Sequence, residues 1–226
     1  SSSSAASDVY KRQYEIQPSP DGIAQALIIA ENFLTNHPSA LMLADNIFYG
    51  DGLSKQLEKA NSNNGATLFA YGVKDPQRYG VISFDKNNKV LDIEEKPTYP
   101  KSIYAVTGIY FYDQNVVQKA KTLKPSKRGE YEITDLNMIY LKENNLNIVK
   151  LSRGSAWLDT GTFDSLQEAN IYIRSLEKRQ GLKIGCHEEI AWRQDWIDDN
   201  QLKKIAKKFP KSGYGDYLIN IIKKKK

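Results

Sequence analysis

The chain has 226 residues, 40% hydrophobic and 26% charged, a globular balance that suits one or two domains with a sizeable core and argues against disorder. No apolar run approaches the ~18–20 residues of a bilayer span, no signal peptide opens the sequence, and one cysteine, Cys186, excludes an internal disulfide framework and fits a reducing cytoplasm. The formal charge of +5 belongs to residues 201–226, where nine lysines face one acid (Asp216) for a net of +8, so the other 200 residues carry −3 and nothing in the run tracks phosphates as a nucleic-acid groove would.

The first thirteen residues, "SSSSAASDVYKRQ", have no apolar period. They read as a disordered or non-native leader. The main domain is expected over residues 14–180 and a helical segment with a basic tail over residues 181–226. "PDGIAQALIIAENFLTN" places Ile23, Leu27, Ala30 and Leu34 at helical spacing, with Pro20 and Asp21 suited to the first turn. "SALMLA" is a short continuous apolar run, as expected of a strand covered on both faces. Leu53, Leu57 and Ala60 predict a short amphipathic helix and "GATLFAYGV" a second strand. That alternation predicts an α/β, doubly wound, mostly parallel Rossmann-like sheet.

The middle of the chain departs from this rhythm. "YGVISFD" and "KVLDIEEKP" flank "KNN" and predict an inserted antiparallel hairpin. "YAVTGIYFYD" follows as a strand rich in aromatic and β-branched residues. "EYEITDLNMIYLKENN" is helical, with Ile133, Leu136 and Tyr140 on one face. "LNIVKLSRGSAWLD" returns to strand. "TFDSLQEANIYIRSLEKRQG" predicts a long helix with Leu166, Ala169, Ile173 and Leu176 inward and Gly181 as its stop. Leu202, Ile205 and Phe209 form the stripe of a last helical stretch, which Pro210 ends.

Two acids stand where apolar strands stop. Asp45 follows "LMLA" and Asp159 ends "SAWLD". Either could merely cap a turn or helix. Thr162 is able to cap the long helix alone, which leaves Asp159 free. In open α/β sheets, ligands bind beyond the carboxyl ends of strands. Two carboxylates there, in a chain with two histidines and one cysteine, suit a hard cation such as Mg2+ shared with a phosphate. Lys96 in "EEKP" is either a salt-bridged edge or a phosphate contact at the end of a hairpin strand. Gln17 in "QPSPDG" both donates and accepts, as reading a base edge requires, and Gly22 permits close backbone approach.

The blocks "QPSPDGIAQA", "ADNIFYG", "DPQRYGVISFD", "EEKP", "YAVTGIYFYD", "RGEYEITDLN" and "AWLDTGT" occur in this order. Together they closely resemble the glucose-1-phosphate thymidylyltransferases, the sugar nucleotidyltransferases that make dTDP-glucose, from about Tyr14 to about Gly215. The resemblance implies a substrate pair of dTTP and glucose 1-phosphate, with Mg2+ held by Asp45 and Asp159. It implies thymine contacts from Gln17 and Gly22, and a sugar pocket lined by Tyr79 and Gly80. Glu95 would hold a glucose hydroxyl and Lys96 the sugar phosphate, with Arg128 as a further phosphate contact. Val106 and Tyr110 would touch the sugar or its phosphate, and Trp157 would pack beside the metal. It also implies a homotetramer when full length and a dTDP-sugar effector site near Tyr49, Gly50, Glu189, Ile190 and Arg193.

One departure from the family stands out. Members open with a strand and a glycine-rich loop that holds the triphosphate, and nothing before Gln17 resembles it. The chain as given is therefore expected not to complete the reaction alone. Two other readings remain open: a related enzyme using UTP or another sugar phosphate, and a non-catalytic nucleotide-sugar-binding subunit.

Overall fold

The computed structural model describes residues 13–62 and 64–224, so the leader read over residues 1–13 lies outside it save for Gln13. The described residues divide into two compact units, one of Glu15–Ala169 and one that begins at Asn170 and includes Gln13 and Tyr14. In the larger unit, α1 (Ile23–Ile29) and α2 (Glu31–Leu34) occupy the single helical period read from the sequence; Ala30, at φ −80° and ψ 8°, interrupts it. There follow β1 (Ser39–Met42), β2 (Asn46–Tyr49), α3 (Leu53–Asn61) and β3 (Ala66–Gly72). A 3-10 turn (Pro76–Arg78) leads into the hairpin of β4 (Gly80–Phe84) and β5 (Val90–Glu95). Next come β6 (Tyr104–Tyr112), α4 (Val116–Ala120), α5 (Ile133–Lys142), β7 (Leu146–Lys150) and β8 (Ala156–Asp159). The helix α6 (Phe163–Gln180) carries the chain from one unit into the other.

The sheet corrects one expectation. Six strands join in the order β5-β4-β6-β3-β7, with β1 also paired to β6. Of these neighbours only β3 and β7 are parallel; β1, β3 and β4 each meet β6 antiparallel. The pairing is therefore mixed rather than mostly parallel. The reason lies in the hairpin: β5 turns the chain back on β4, and β6 enters against the direction of β1, β3, β4 and β7. Those four strands share one sense, but β6 lies between β3 and both β1 and β4. The α/β class and the inserted antiparallel hairpin stand as read.

Both faces of the sheet are covered, as alternation along the strands shows. Leu68 and Ala70 of β3 and Tyr110 of β6 join Leu136 and Tyr140 of α5 in one apolar cluster. Phe69, Ala105 and Ile109 point the other way and join Ala60 of α3 and Trp157 of β8. Two apolar segments are less covered than their sequences imply. β1 has β6 as its one partner among the described strands, and Met42 is 56% exposed. Along α6 only Ala169 is buried, while Leu166 is 52% exposed. The smaller unit is helical: α7 (His187–Arg193), α8 (Asp199–Ala206) and α9 (Tyr214–Lys224) enclose Trp192, Leu202, Leu218 and Ile221. Asp198 and Gln201 form a reciprocal cap at the start of α8.

Gly22 fixes how the first described segment meets the body. Its φ is +104°, and an added Cβ would lie 2.5 Å from the Tyr131 carbonyl oxygen. On either side, the Tyr131 N–H donates to Asp21 O (2.6 Å) and the Ala24 N–H to Tyr131 O (3.2 Å). Gly22→Ala should therefore destabilise the chain by roughly 2–3 kcal/mol in urea unfolding. A loss below about 0.5 kcal/mol would show that this junction is free to move.

Candidate active site

The strand ends Asp45 and Asp159 meet through a separate two-stranded ribbon. β2 and β8 pair antiparallel with Asn46 opposite Asp159 and Phe48 opposite Trp157. At the ribbon's end, the Thr160 N–H and hydroxyl both donate to the Asp45 carbonyl oxygen, at 2.8 and 2.9 Å. The two carboxylates then face the same point: a Cβ added to Gly161 would lie 3.8 Å from Oδ2 of Asp45 and from Oδ2 of Asp159. Thr162 caps α6 through the Ser165 N–H (3.1 Å), so the helix does not need Asp159.

Asn46 ties this ribbon to the main sheet. Its Oδ1 accepts from Trp157 Nε1 (2.6 Å) and from the Gly108 N–H (3.2 Å), and its Nδ2 donates to Asp45 Oδ1 (2.8 Å). Only glycine fits at position 108, where a Cβ would stand 2.6 Å from that oxygen. Asn46 is therefore a positioning residue for Asp45. The Trp157 ring lies against Tyr79, with centroids 5.0 Å apart. Burial first, and the Asp159 carboxylate second, push the Tyr79 hydroxyl up to about 12.

These groups open onto a cleft of about 270 Å3. Asp45, Tyr79, Gly80, Trp157 and Asp159 line one part of it; Glu95, Lys96, Val106 and Tyr110 line the rest. The hairpin register sets Gly80 opposite Glu95. Glu95 accepts from the Thr134 hydroxyl at 2.5 Å. Lys96 has no ion pair among the described residues, because Glu94 pairs with Lys101 (3.7 Å) and Glu95 lies 4.0 Å from Arg128. Its φ is +43°, a left-handed conformation that a non-glycine residue adopts at a cost. The salt-bridged edge is thus not what Lys96 forms.

Three predicted residues stand outside the cleft lining. Arg128 is held beside it by Glu132 (2.9 Å) and Glu130 (3.2 Å). Gln17 Nε2 donates to Gly22 O (3.1 Å) and Gln25 Oε1 (2.7 Å), so its amide is engaged locally. Gly22 approaches the Tyr131 backbone. Of the effector residues, Glu189 and Arg193 form an ion pair at 2.8 Å within α7, and Ile190 is half-exposed on the same helix. Tyr49 and Gly50 belong to the other unit, at the end of β2, where Gly50 abuts Ser155. Sequence reasoning missed Arg78, whose signal was its place beside Tyr79 in "RYGV"; it lines the cleft and pairs with Asp159 at 3.3 Å.

Two expected outcomes follow from this geometry. Asn46→Ala leaves the Trp157 and Gly108 donors unpaired in a buried place and should cost about 2–3 kcal/mol, with a shift in tryptophan emission. Unchanged stability and emission would show that the ribbon is held some other way. Glu132 is pushed up by burial but pulled further down by hydrogen bonds from Arg128 and Ser126, so its folded value lies below the ordinary carboxylate range. Its contribution to stability should be whole above about pH 4.3 and fade as the pH falls through the lowered folded value. Urea unfolding of Glu132→Gln should therefore differ from the parent chain near neutral pH and converge with it in acid; a constant difference would contradict this.

The nucleotidyl transferase family model matches residues 3–175. A glucose-1-phosphate thymidylyltransferase of Neisseria meningitidis is 51% identical over 212 residues, covering 93% of this chain and 74% of that protein. One from Xanthomonas campestris pv. campestris is 53% identical, covering 94% of this chain and 72% of that protein. The crystal structure of a putative glucose-1-phosphate thymidylyltransferase from Bacillus anthracis, in complex with a sucrose, superposes with a TM-score of 0.63 at 46% identity. That match covers 71% of this chain and 64% of the Bacillus chain. A UDP-glucose pyrophosphorylase complexed with UDP-glucose shares the fold at 22% identity and the same TM-score.

Proposed function

The chain belongs to the nucleotidyl transferase family, and on that premise we propose that it serves the transfer of dTMP from dTTP to glucose 1-phosphate, giving dTDP-glucose and pyrophosphate. It spans about three quarters of the curated relatives' length and 64% of the Bacillus chain, so the activity, substrates and partners of the whole protein are part of this proposal. The observation that carries it is the convergence of Asp45 and Asp159 on one open point at Gly161, inside a cleft that also holds Glu95 and Lys96.

The residues present fit a divalent cation. Glycine at position 161 leaves open the place a side chain would fill between two carboxylate oxygens, and Mg2+ is typically held by one or two carboxylates with waters and substrate phosphates. Asp45 and Asp159 would hold it, and when bound it would draw together and neutralise phosphate oxygens of both reactants. The chain's own residues do the rest. Lys96 places a compact positive charge at the cleft wall for the sugar phosphate, with Arg128 held nearby. Glu95, steadied by Thr134, accepts a sugar hydroxyl, and Gly80 opposite it leaves room for the ring. Transfer of this kind depends on alignment and charge neutralisation rather than a covalent intermediate.

Gln17 and Gly22 are proposed to reach the thymine from the segment before α1, and a uracil would differ there only by a methyl group. An effector site is proposed at a subunit interface of a homotetramer, with the half-exposed Ile190 beside the Glu189–Arg193 pair as part of it. No helix among the described residues is long and apolar enough to cross a membrane.

Calorimetric titration with dTDP-glucose and UDP-glucose, with and without Mg2+, tests the proposal. dTDP-glucose should bind more tightly, Mg2+ should strengthen it, and Asp45→Asn or Asp159→Asn should remove that gain. Binding indifferent to Mg2+, or to both substitutions, would overturn the metal assignment. Lys96→Gly should lower affinity for glucose 1-phosphate at least tenfold while leaving stability within about 1 kcal/mol, since glycine relieves the left-handed backbone. Unchanged affinity would remove Lys96 from the site.

A further inference from the structure

Arg78 is the one cation in contact with the carboxylate pair among the described residues. It ends the 3-10 turn before β4 and reaches across to the end of β8. Nη2 lies 3.3 Å from Asp159 Oδ2, and Nη1 lies 3.1 Å from Asp75 Oδ2. The guanidinium also stands 5.3 Å from the centre of the Tyr79 ring. The oxygen that Arg78 engages is the same Oδ2 of Asp159 that faces Asp45 across the space above Gly161. Asp45 has no such cation among the described residues; its side chain accepts from the Asn46 amide.

A cation shared by Asp45 and Asp159 would use the very oxygen the guanidinium occupies. Two positive groups cannot both close on that oxygen without repelling each other. Arg78 and Asp159 also line a second cavity of about 370 Å3, together with Asp75, Lys74 and Glu168. Asp75 at 3.1 Å gives the guanidinium a second anchor when Asp159 is withdrawn from it.

We propose that Arg78 is the resident counter-ion of the carboxylate pair: it holds Asp159 when no divalent cation is present, and yields Oδ2 when one binds. This rests on the reading of Asp45 and Asp159 as the cation site. Arg78 acts as a positioning residue through Asp159. It keeps two converging acids from repelling each other in the empty site and lowers the affinity for free cation. The site then fills most readily when substrate phosphates bring further negative charge. The guanidinium is suited to this because it is always charged and forked, so it spans Asp75 and Asp159 at once.

Mn2+ alone is the probe, followed by electron paramagnetic resonance titration of the parent chain and three variants at low ionic strength. Arg78→Gln should bind Mn2+ roughly tenfold more tightly than the parent, the size expected from removing one unit charge beside a divalent ion in a half-exposed site. Arg78→Lys retains the charge and should stay near the parent value. The gain in Arg78→Gln should shrink in high salt. Asp159→Asn should bind little Mn2+. If Asp159→Asn binds like the parent, or no chain binds Mn2+, the carboxylate site itself is wrong and the inference falls with it. If Asp159→Asn loses Mn2+ but Arg78→Gln binds no more tightly than the parent, the site stands and the counter-ion role does not.

Discussion

The antiparallel pairing of β2 with β8 is the constraint on which the site depends. It joins residues 111 and 115 positions apart in sequence, through Trp157 to Asn46 and Thr160 to Asp45. Neither strand belongs to the six-stranded sheet. They pair with each other for four residues, β2 beginning next to Asp45 and β8 ending on Asp159. Asn46 opposite Asp159 is therefore a register condition: a slip of one residue would turn one carboxylate to the other face.

The remaining features follow from that register. Asn46 uses both its oxygen and its nitrogen, anchoring the ribbon to β6 at Gly108 and to Trp157 while orienting Asp45. Trp157 carries the apolar face of the ribbon into the cluster of Phe69 and Ile109, beneath the sheet. Along the same cleft, the β4–β5 hairpin delivers Gly80, Glu95 and Lys96 from a two-stranded element, with Glu95 steadied from α5 by Thr134. A strained backbone at Lys96, free of ion pairs among the described residues, sits where the fold would gain from a glycine.

Much of this was legible in the sequence, for reasons tied to short-range chemistry. Asp45 and Asp159 were visible because an apolar strand that stops on an acid is unusual unless a turn or ligand needs it, and Thr162 already supplied the cap. The hairpin was visible because period-2 patterning on both sides of "KNN" leaves little alternative. The direction of β6 was not visible, because the pattern of an aromatic strand does not record which way it enters a sheet. The exposure of Met42 and Leu166 was hidden for a related reason: apolar periodicity marks a face without saying what covers it. Arg78 and Asn46 were overlooked because their partners are distant in sequence. An arginine two residues before a glycine looks like any surface cation until Asp159 is brought to 3.3 Å from it.

The central claim is that the ribbon makes one cation site from two remote strand ends. Anomalous diffraction from crystals of the chain grown with Mn2+ and dTDP-glucose measures this most directly. A single strong peak is expected above Gly161, within about 2.1–2.2 Å of one carboxylate oxygen from Asp45 and one from Asp159, with phosphate oxygens completing the shell. A peak touching only one of the two carboxylates, or lying away from Gly161, would contradict it.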